Sequence, residues 1–334
     1  MSQASPTERP AILGRRELIP GRTLGLILAA ATLFTVIALL SDTFLTPYTA
    51  FVVSRQVAFF VLIALAQAVC LVVGCLNLSV GAIGSITTVV LGLCLDDWGL
   101  PAWLAVSAGL AVGLATGLLN GLLIVKLRIN SFIVTLSTMF VFMGLRSGIS
   151  GGKPYAVPDS FTVVGQGGLL GVPYVFLLML VVLLGVSCMY RHTAFGRRML
   201  ATGGNPEAAR LSGVNTDGMI VGANMLSGLL ASLTAVLWAS ELGSAAPETG
   251  DAWLIVSFAV AIIGGTGLTG GVVSALGVLL GGIIYTLIRH GLVELKADPY
   301  YMNVYLGCLI LLAIGIDQIR ELYARRAPRS SKLG

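Results

Sequence analysis

Apolar runs of about 20 residues recur along the whole 334-residue chain, and this recurrence limits the fold more than any other feature. A bilayer's hydrocarbon core is about 30 Å thick and an α-helix rises about 1.5 Å per residue, so about 20 apolar residues cross it. The chain is 56% hydrophobic and only 10% charged, where a soluble domain carries about 25% charge. The class that follows is an all-α polytopic membrane protein. Spans are expected at Thr23–Leu40, about Val57–Leu76, about Leu78–Leu95, Ala102–Val125 and about Phe132–Ile149. A Gly/Pro loop runs to Gly171, and further spans follow at Val172–Tyr190, Gly218–Ser240, Ala252–Ile263, Gly271–Ile288 and Tyr300–Ile316, ten in all. The eighth has a dozen residues and is expected to be broken or half-crossing. Residues 1–22 and 318–334 read as polar tails around one transmembrane domain, 23–317. The first run is too long for a signal-peptide core, and no small-residue cleavage site follows at Ser41-Asp42-Thr43, so it reads as a retained span.

Charge gives the orientation. With the N-terminus inside, the two tails, the Lys126–Arg128 turn and the Arg191–Asp217 loop hold 15 of the 20 Lys and Arg residues. Basic residues set topology, so both termini are expected in the cytoplasm. The sequence pI of about 9.1 then reports membrane orientation, and a nucleic-acid partner is not implied.

The longest charged interruption is Arg197–Asp217, and it carries helix start and stop signals. Asn205 suits an N-cap, and Pro206 suits the first helical position, where its missing N–H costs nothing. Glu207 in the first turn and Arg210 toward the end complement the helix dipole, and Gly213 suits a left-handed cap. A helix of about two turns is unstable alone in water. It requires something to pack against, and the cytoplasmic side offers another protein.

No charged residue or histidine falls in the middle of an expected span, which argues against a proton-coupled carrier and against an intramembrane enzyme. No catalytic residue and no metal site is assigned. His192 and His290 sit at span ends beside Arg191 and Arg289, where interfacial snorkelling accounts for them. The five cysteines, 70, 75, 94, 188 and 308, are scattered through apolar runs and read as small core residues. Gly109, Gly113, Gly117 and Gly121 recur every four residues and form a small-residue face for close helix packing. Gly265-Thr-Gly267-Leu-Thr-Gly270 matches a dinucleotide fingerprint, but it lies among apolar spans with no acidic residue about 20 positions on, so that reading is rejected. No G-x-x-x-x-G-K-[ST] sequence occurs, so the chain has no recognisable ATP site of its own.

The same Gly-rich segment aligns without gaps to an earlier one. VVGCLNLSVGA from Val72 matches IIGGTGLTGGV from Ile262, pairing Gly74 with Gly264 and Ser79 with Thr269. Gly-interrupted apolar segments in the two halves of a chain point to a substrate pathway built from broken helices; chance similarity between two apolar, Gly-rich stretches is the other reading. On the first reading Asn77, Ser79, Thr266 and Thr269 offer neutral hydrogen-bonding groups, which suit an uncharged polyhydroxylated solute. Asn120 lies beside the glycine face and either lines the pathway or bonds a neighbouring helix. Phe132 and Thr135 share a face at helical spacing, and Thr135 and Thr138 add hydroxyls at the start of the fifth span.

Several motifs in order, GCLNLSVGAIG (74–84), FIVTLSTM (132–139), GGNPEAARLSGV (203–214), GSAAPETG (243–250) and IIGGTGLTGG (262–271), resemble the ribose-type permease subunits of bacterial ABC sugar importers. The resemblance covers about Thr23 to Asp317. Cys75 and Asn77 stand where the family's first motif has Gly and Asp, and Ser131 stands where Pro is usual. The resemblance implies a permease subunit of the bacterial inner membrane that translocates a neutral sugar by alternating access. It implies a second permease chain, identical or related, an external sugar-binding protein, and a cytoplasmic ATPase that binds the ATP and Mg; no cofactor belongs to this chain. Gly204, Asn205, Pro206, Glu207, Ala208, Arg210 and Gly213 then belong to a coupling helix that docks on the ATPase. Related permeases for nucleosides or branched-chain amino acids, and an ATP-independent secondary carrier, are the alternatives.

Overall fold

A computed structural model of the chain describes residues 18–41, 43–301, 304–305 and 307–308. The two tails and most of the tenth expected span lie outside the described residues. Eight described helices are long and apolar enough to cross a membrane. They are α1 (Leu18–Leu40), α2 (Pro47–Val72), α3 (Val80–Gly92, extended by a π turn to Asp97), α4 (Ala102–Leu127), α5 (Ser131–Ser150), α7 (Tyr174–His192), α10 (Thr216–Leu242) and α12 (Ala275–Glu294). Shorter helices fall between them: α6 (Asp159–Gln166), α8 (Ala194–Gly204), α9 (Pro206–Leu211) and α11 (Trp253–Ile263).

Helix α2 is the axis of the bundle and packs against α7, α10, α11 and α12. From Ala58 to Val72 it is apolar on every face except for Gln67, because it is surrounded: these residues are almost wholly inaccessible. It starts ten residues before the expected Val57. Thr46 caps it by accepting a hydrogen bond from the Thr49 N–H at 3.2 Å, with Pro47 in the first turn. It also stops at Val72, short of the expected Leu76. Gly74 takes φ +77° and the Cys75 N–H reaches back to the Cys70 carbonyl at 3.0 Å, a Schellman-type stop that ends the helix.

The glycine face of α4 meets α10 almost backbone to backbone. A Cβ on Gly117 would lie 2.8 Å from Met225 Cα, and one on Gly121 would lie 2.7 Å from Val221 Cα. The packing role expected for this face is what the fold uses it for.

Two regions differ from expectation. The loop after α5 is more than a Gly/Pro connection: it holds β1 (Tyr155–Ala156), α6, and the hairpin of β2 (Gly168–Leu169) with β3 (Val172–Pro173). Strand β1 pairs antiparallel with β4 (Ser244–Ala245), which follows α10. From there the chain turns inward through a 3-10 turn at Pro247–Gly250 before α11 begins. Helix α11 has 11 residues, about 16 Å of rise and so about half a hydrocarbon core. The helix is therefore about half as long as a full span needs.

Candidate functional site

The first helix break, residues 73–79, is held by hydroxyl and amide groups from three helices. Asn77 accepts from the Ser79 N–H at 3.0 Å and the Ser79 hydroxyl at 2.7 Å through its Oδ1. Its Nδ2 donates to Ser227 Oγ on α10 at 3.0 Å. Asn120 on α4 donates to Ser79 Oγ at 2.8 Å. From α5, Ser131 Oγ accepts from the Leu76 N–H and Thr135 Oγ1 from the Leu78 N–H, both at 3.1 Å. An unwound backbone inside a membrane protein must find such partners, because lipid offers none.

Asn77, Ser79, Asn120 and Thr135 are thus brought together, and all four are completely buried. Thr138 sits one turn further along α5, buried, with its hydroxyl on the Thr135 carbonyl at 3.3 Å. Phe132 lies at the edge, 45% exposed. Ser131 and Ser227 belong to the same cluster; the sequence marks Ser131 only as a departure from the family's usual Pro and does not mark Ser227. Only the three-dimensional meeting of α5 and α10 with the break distinguishes them from other span hydroxyls.

The second break, residues 264–274, lies beside the first: the Gly271 N–H donates to the Val72 carbonyl at 2.8 Å. Gly265 takes φ +88°, and the Thr266 N–H returns to the Ala261 carbonyl at 2.9 Å. This repeats the stop at the end of α2, with Gly265 in the role of Gly74. The gapless alignment that pairs Gly74 with Gly264 is therefore one residue out of structural register. The exits also differ, because α3 starts six residues after Gly74 and α12 starts ten after Gly265. Thr266 is buried with no partner for its hydroxyl among the described residues, and Thr269 is exposed at the tip.

A charged cluster lies toward the opposite end. Arg146 of α5 is 7% exposed. Its Nη1 reaches Ser85 Oγ of α3 at 2.8 Å, the Pro247 carbonyl at 2.6 Å and Asp251 Oδ1 at 2.6 Å, and its Nη2 donates to Asp251 Oδ2 at 3.0 Å. Ser85 Oγ also accepts from the Gly250 N–H at 3.0 Å. Arg55, well inside α2, pairs with Glu241 of α10 at 3.1 Å. The expected spans carry no central charge, and this needs correcting at their far ends. Helix α2 begins earlier than its apolar run, and the inward chain after β4 carries Asp251 down to Arg146.

The short helix α9 follows the expected chemistry. Asn205 Oδ1 accepts from the Ala208 N–H at 3.0 Å, Pro206 opens the helix, and Gly213 takes φ +80° with the Val214 N–H returning to the Ala209 carbonyl at 3.0 Å. Gly204, Asn205, Pro206, Glu207, Ala208, Arg210 and Gly213 are all exposed, and only Ala209 faces inward. Leu211 is 86% exposed. Arg210 turns back to α10, with Nη2 3.3 Å from Thr216 Oγ1 and 3.5 Å from Asp217 Oδ1. The whole preceding stretch, Ala194–Gly204, is a helix of its own, hidden in the sequence by its glycines and charges. Thr193 caps it by accepting from the Gly196 N–H at 3.1 Å.

Paired helix breaks inside an all-α, multi-pass membrane protein are an arrangement that membrane transporters use. The family profile described as branched-chain amino acid transport system / permease component matches residues 49–314, and the chain belongs to that family. It is 34% identical over 299 residues to the ribose import permease protein RbsC of Bacillus subtilis (strain 168), covering 88% of this chain and 92% of that one. It is 31% identical over 304 residues to the ribose import permease protein RbsC of Escherichia coli (strain K12), covering 88% and 93%. It is 31% identical over 310 residues to the fructose import permease protein FrcC of Rhizobium meliloti, covering 90% and 86%.

Proposed function

We propose that this chain is the transmembrane permease subunit of an ATP-binding cassette importer for a neutral carbohydrate, a pentose- or hexose-like sugar or polyol. The names of its relatives, which are permeases for ribose, fructose and galactose, support the cargo class. The observation that carries the mechanism is α9: a capped helix six residues long, displayed outside the bundle with Leu211 bare. Its Glu207 and Arg210 face a cytoplasmic ATPase, which binds ATP and Mg and performs the only chemistry. A second permease chain, identical or related, completes the pathway, and an external binding protein delivers the sugar. The protein resides in the bacterial inner membrane with both tails, 1–22 and 318–334, in the cytoplasm around the domain 23–317.

Transport proceeds by alternating access. The cluster of Asn77, Ser79, Asn120, Thr135 and Thr138, with Thr266 and Thr269 of the second break and Phe132 at its edge, supplies neutral groups to the passing solute as helices part around it. Neutral hydroxyls and amides exchange hydrogen bonds with a sugar without requiring a counter-ion. Purification in mild detergent tests this: an ABC ATPase should accompany the chain, and the partner binding protein should bind a sugar. A second reading, an amino-acid permease, rests on the description of the family profile; a binding protein selective for branched-chain amino acids would favour it.

A further inference from the structure

The last turn of α8 is pressed against both helix breaks at one point. Gly203 is buried, and a Cβ placed on it would overlap the Val72 carbonyl oxygen and lie 2.6 Å from the Gly271 nitrogen. Those two atoms form the hydrogen bond that joins the breaks. The contact is mutual: a Cβ on Gly270 would lie 2.8 Å from Gly203 O and 3.0 Å from Gly74 N, and one on Gly271 would lie 2.7 Å from Gly204 Cα. Three backbones meet here with no side chain between them. The very next residue is Asn205, the cap of α9.

Backbone-to-backbone contact is stiff. Long side chains can change rotamer to absorb a displacement, whereas touching peptide groups pass it on. Movement of α9 along the bundle must therefore displace the Val72–Gly271 junction. At its other end α9 is joined by Arg210 to Thr216 and Asp217 in the first turn of α10, and α10 reaches the first break through Ser227 and Asn77. Both ends of α9 thus lead to the same polar cluster.

We propose that Gly203 is the positioning residue through which the ATPase-docking helix drives the two broken helices together, so that hydrolysis is converted to movement at the Val72–Gly271 junction. The proposal rests on the importer reading above and adds the route of transmission to it. It requires the junction to survive the cycle, since a contact that opens cannot push.

The test uses the assembled complex in proteoliposomes, with ATP hydrolysis and sugar uptake measured on the same preparation. Gly203→Ala should lower uptake by at least about tenfold, the scale of an overpacking cost in a tight site, while the assembled complex still hydrolyses ATP. Gly185→Ala, whose Cβ would meet nothing within 4 Å among the described residues, should leave both unchanged. Equal loss of hydrolysis and uptake, or unchanged uptake, in Gly203→Ala overturns the proposal. Should that variant fail to assemble, hydrogen exchange on the wild-type complex decides. The Gly271 amide must stay equally protected in the nucleotide-free and vanadate-trapped states, and increased exchange on trapping contradicts a persistent junction. Absence of any ATPase on the wild-type chain strikes the importer reading itself.

Discussion

Arg146 grips Asp251 with its two terminal guanidinium nitrogens, Nη1 and Nη2, at 2.6 and 3.0 Å, across 105 residues of sequence. The pair ties the inward-running chain after β4 to α5, and Ser85 extends the tie to α3. Irregular backbone at membrane depth persists only when protein satisfies it, and Arg146 does this for the Pro247 carbonyl.

The two partners are unequally buried, with side chains 8% and 44% exposed. Removing the carboxylate leaves the more buried partner without its counter-charge, whereas removing the arginine leaves Asp251 unpaired and also orphans the buried Pro247 carbonyl. Asp251→Leu and Arg146→Met should therefore each cost about 3 kcal/mol, toward the low end for breaking a buried pair, and the double variant should recover part of the loss. Thermal unfolding of the purified variants in one detergent checks this; a double variant as unstable as the sum of the two single variants would contradict the pairing.

Asn77 uses both ends of its amide. Asn77→Leu leaves the Ser79 N–H and the hydroxyls of Ser79 and Ser227 short of a partner inside the protein, at a cost of about 1–3 kcal/mol for each stranded group. Its uptake should fall with its thermal stability. Asn77→Asp keeps the acceptor for Ser79, and the Ser227 hydroxyl can rotate to donate to it, so that variant should assemble normally. Its sugar preference, read by competition in uptake assays, reports whether residue 77 meets the solute; an unchanged preference and rate assigns Asn77 to packing.

The α4–α10 contact predicts a steep size dependence. A Cβ on Gly113 would lie 2.5 Å from Ser232 Cβ and would overlap the Gly228 carbonyl. Gly113→Val should destabilise the protein by about 1–3 kcal/mol or more. Size-exclusion profiles after graded heating should show earlier aggregation; a profile matching wild type would contradict the packing.

How much of this was legible in the sequence depended on whether a signal was local. The capping of α9 was legible because Asn205, Pro206 and Gly213 act within one turn of themselves. Depth inside the bundle was not: α1 and α2 have mean hydropathies of 2.4 and 2.0, yet α1 is almost wholly exposed and α2 almost wholly buried. Lipid and protein interior are equally apolar, so hydropathy does not separate a helix facing one from a helix facing the other. The two breaks were found as a motif, but their register slipped by one residue, because the Schellman stop depends on which glycine takes positive φ. The Arg146–Asp251 tie depends on the chain turning inward after β4, a tertiary event with no local pattern.

ATP-driven sugar uptake by the reconstituted complex tests the proposed passage of work from a cytoplasmic ATPase through α9 to this bundle. With ATP on the α9 side, wild type should accumulate sugar, and Glu207→Lys or Arg210→Glu should abolish accumulation while the protein remains inserted and folded. Preserved ATP-driven uptake with both substitutions present, or uptake by this chain alone under an ion gradient, would contradict the account.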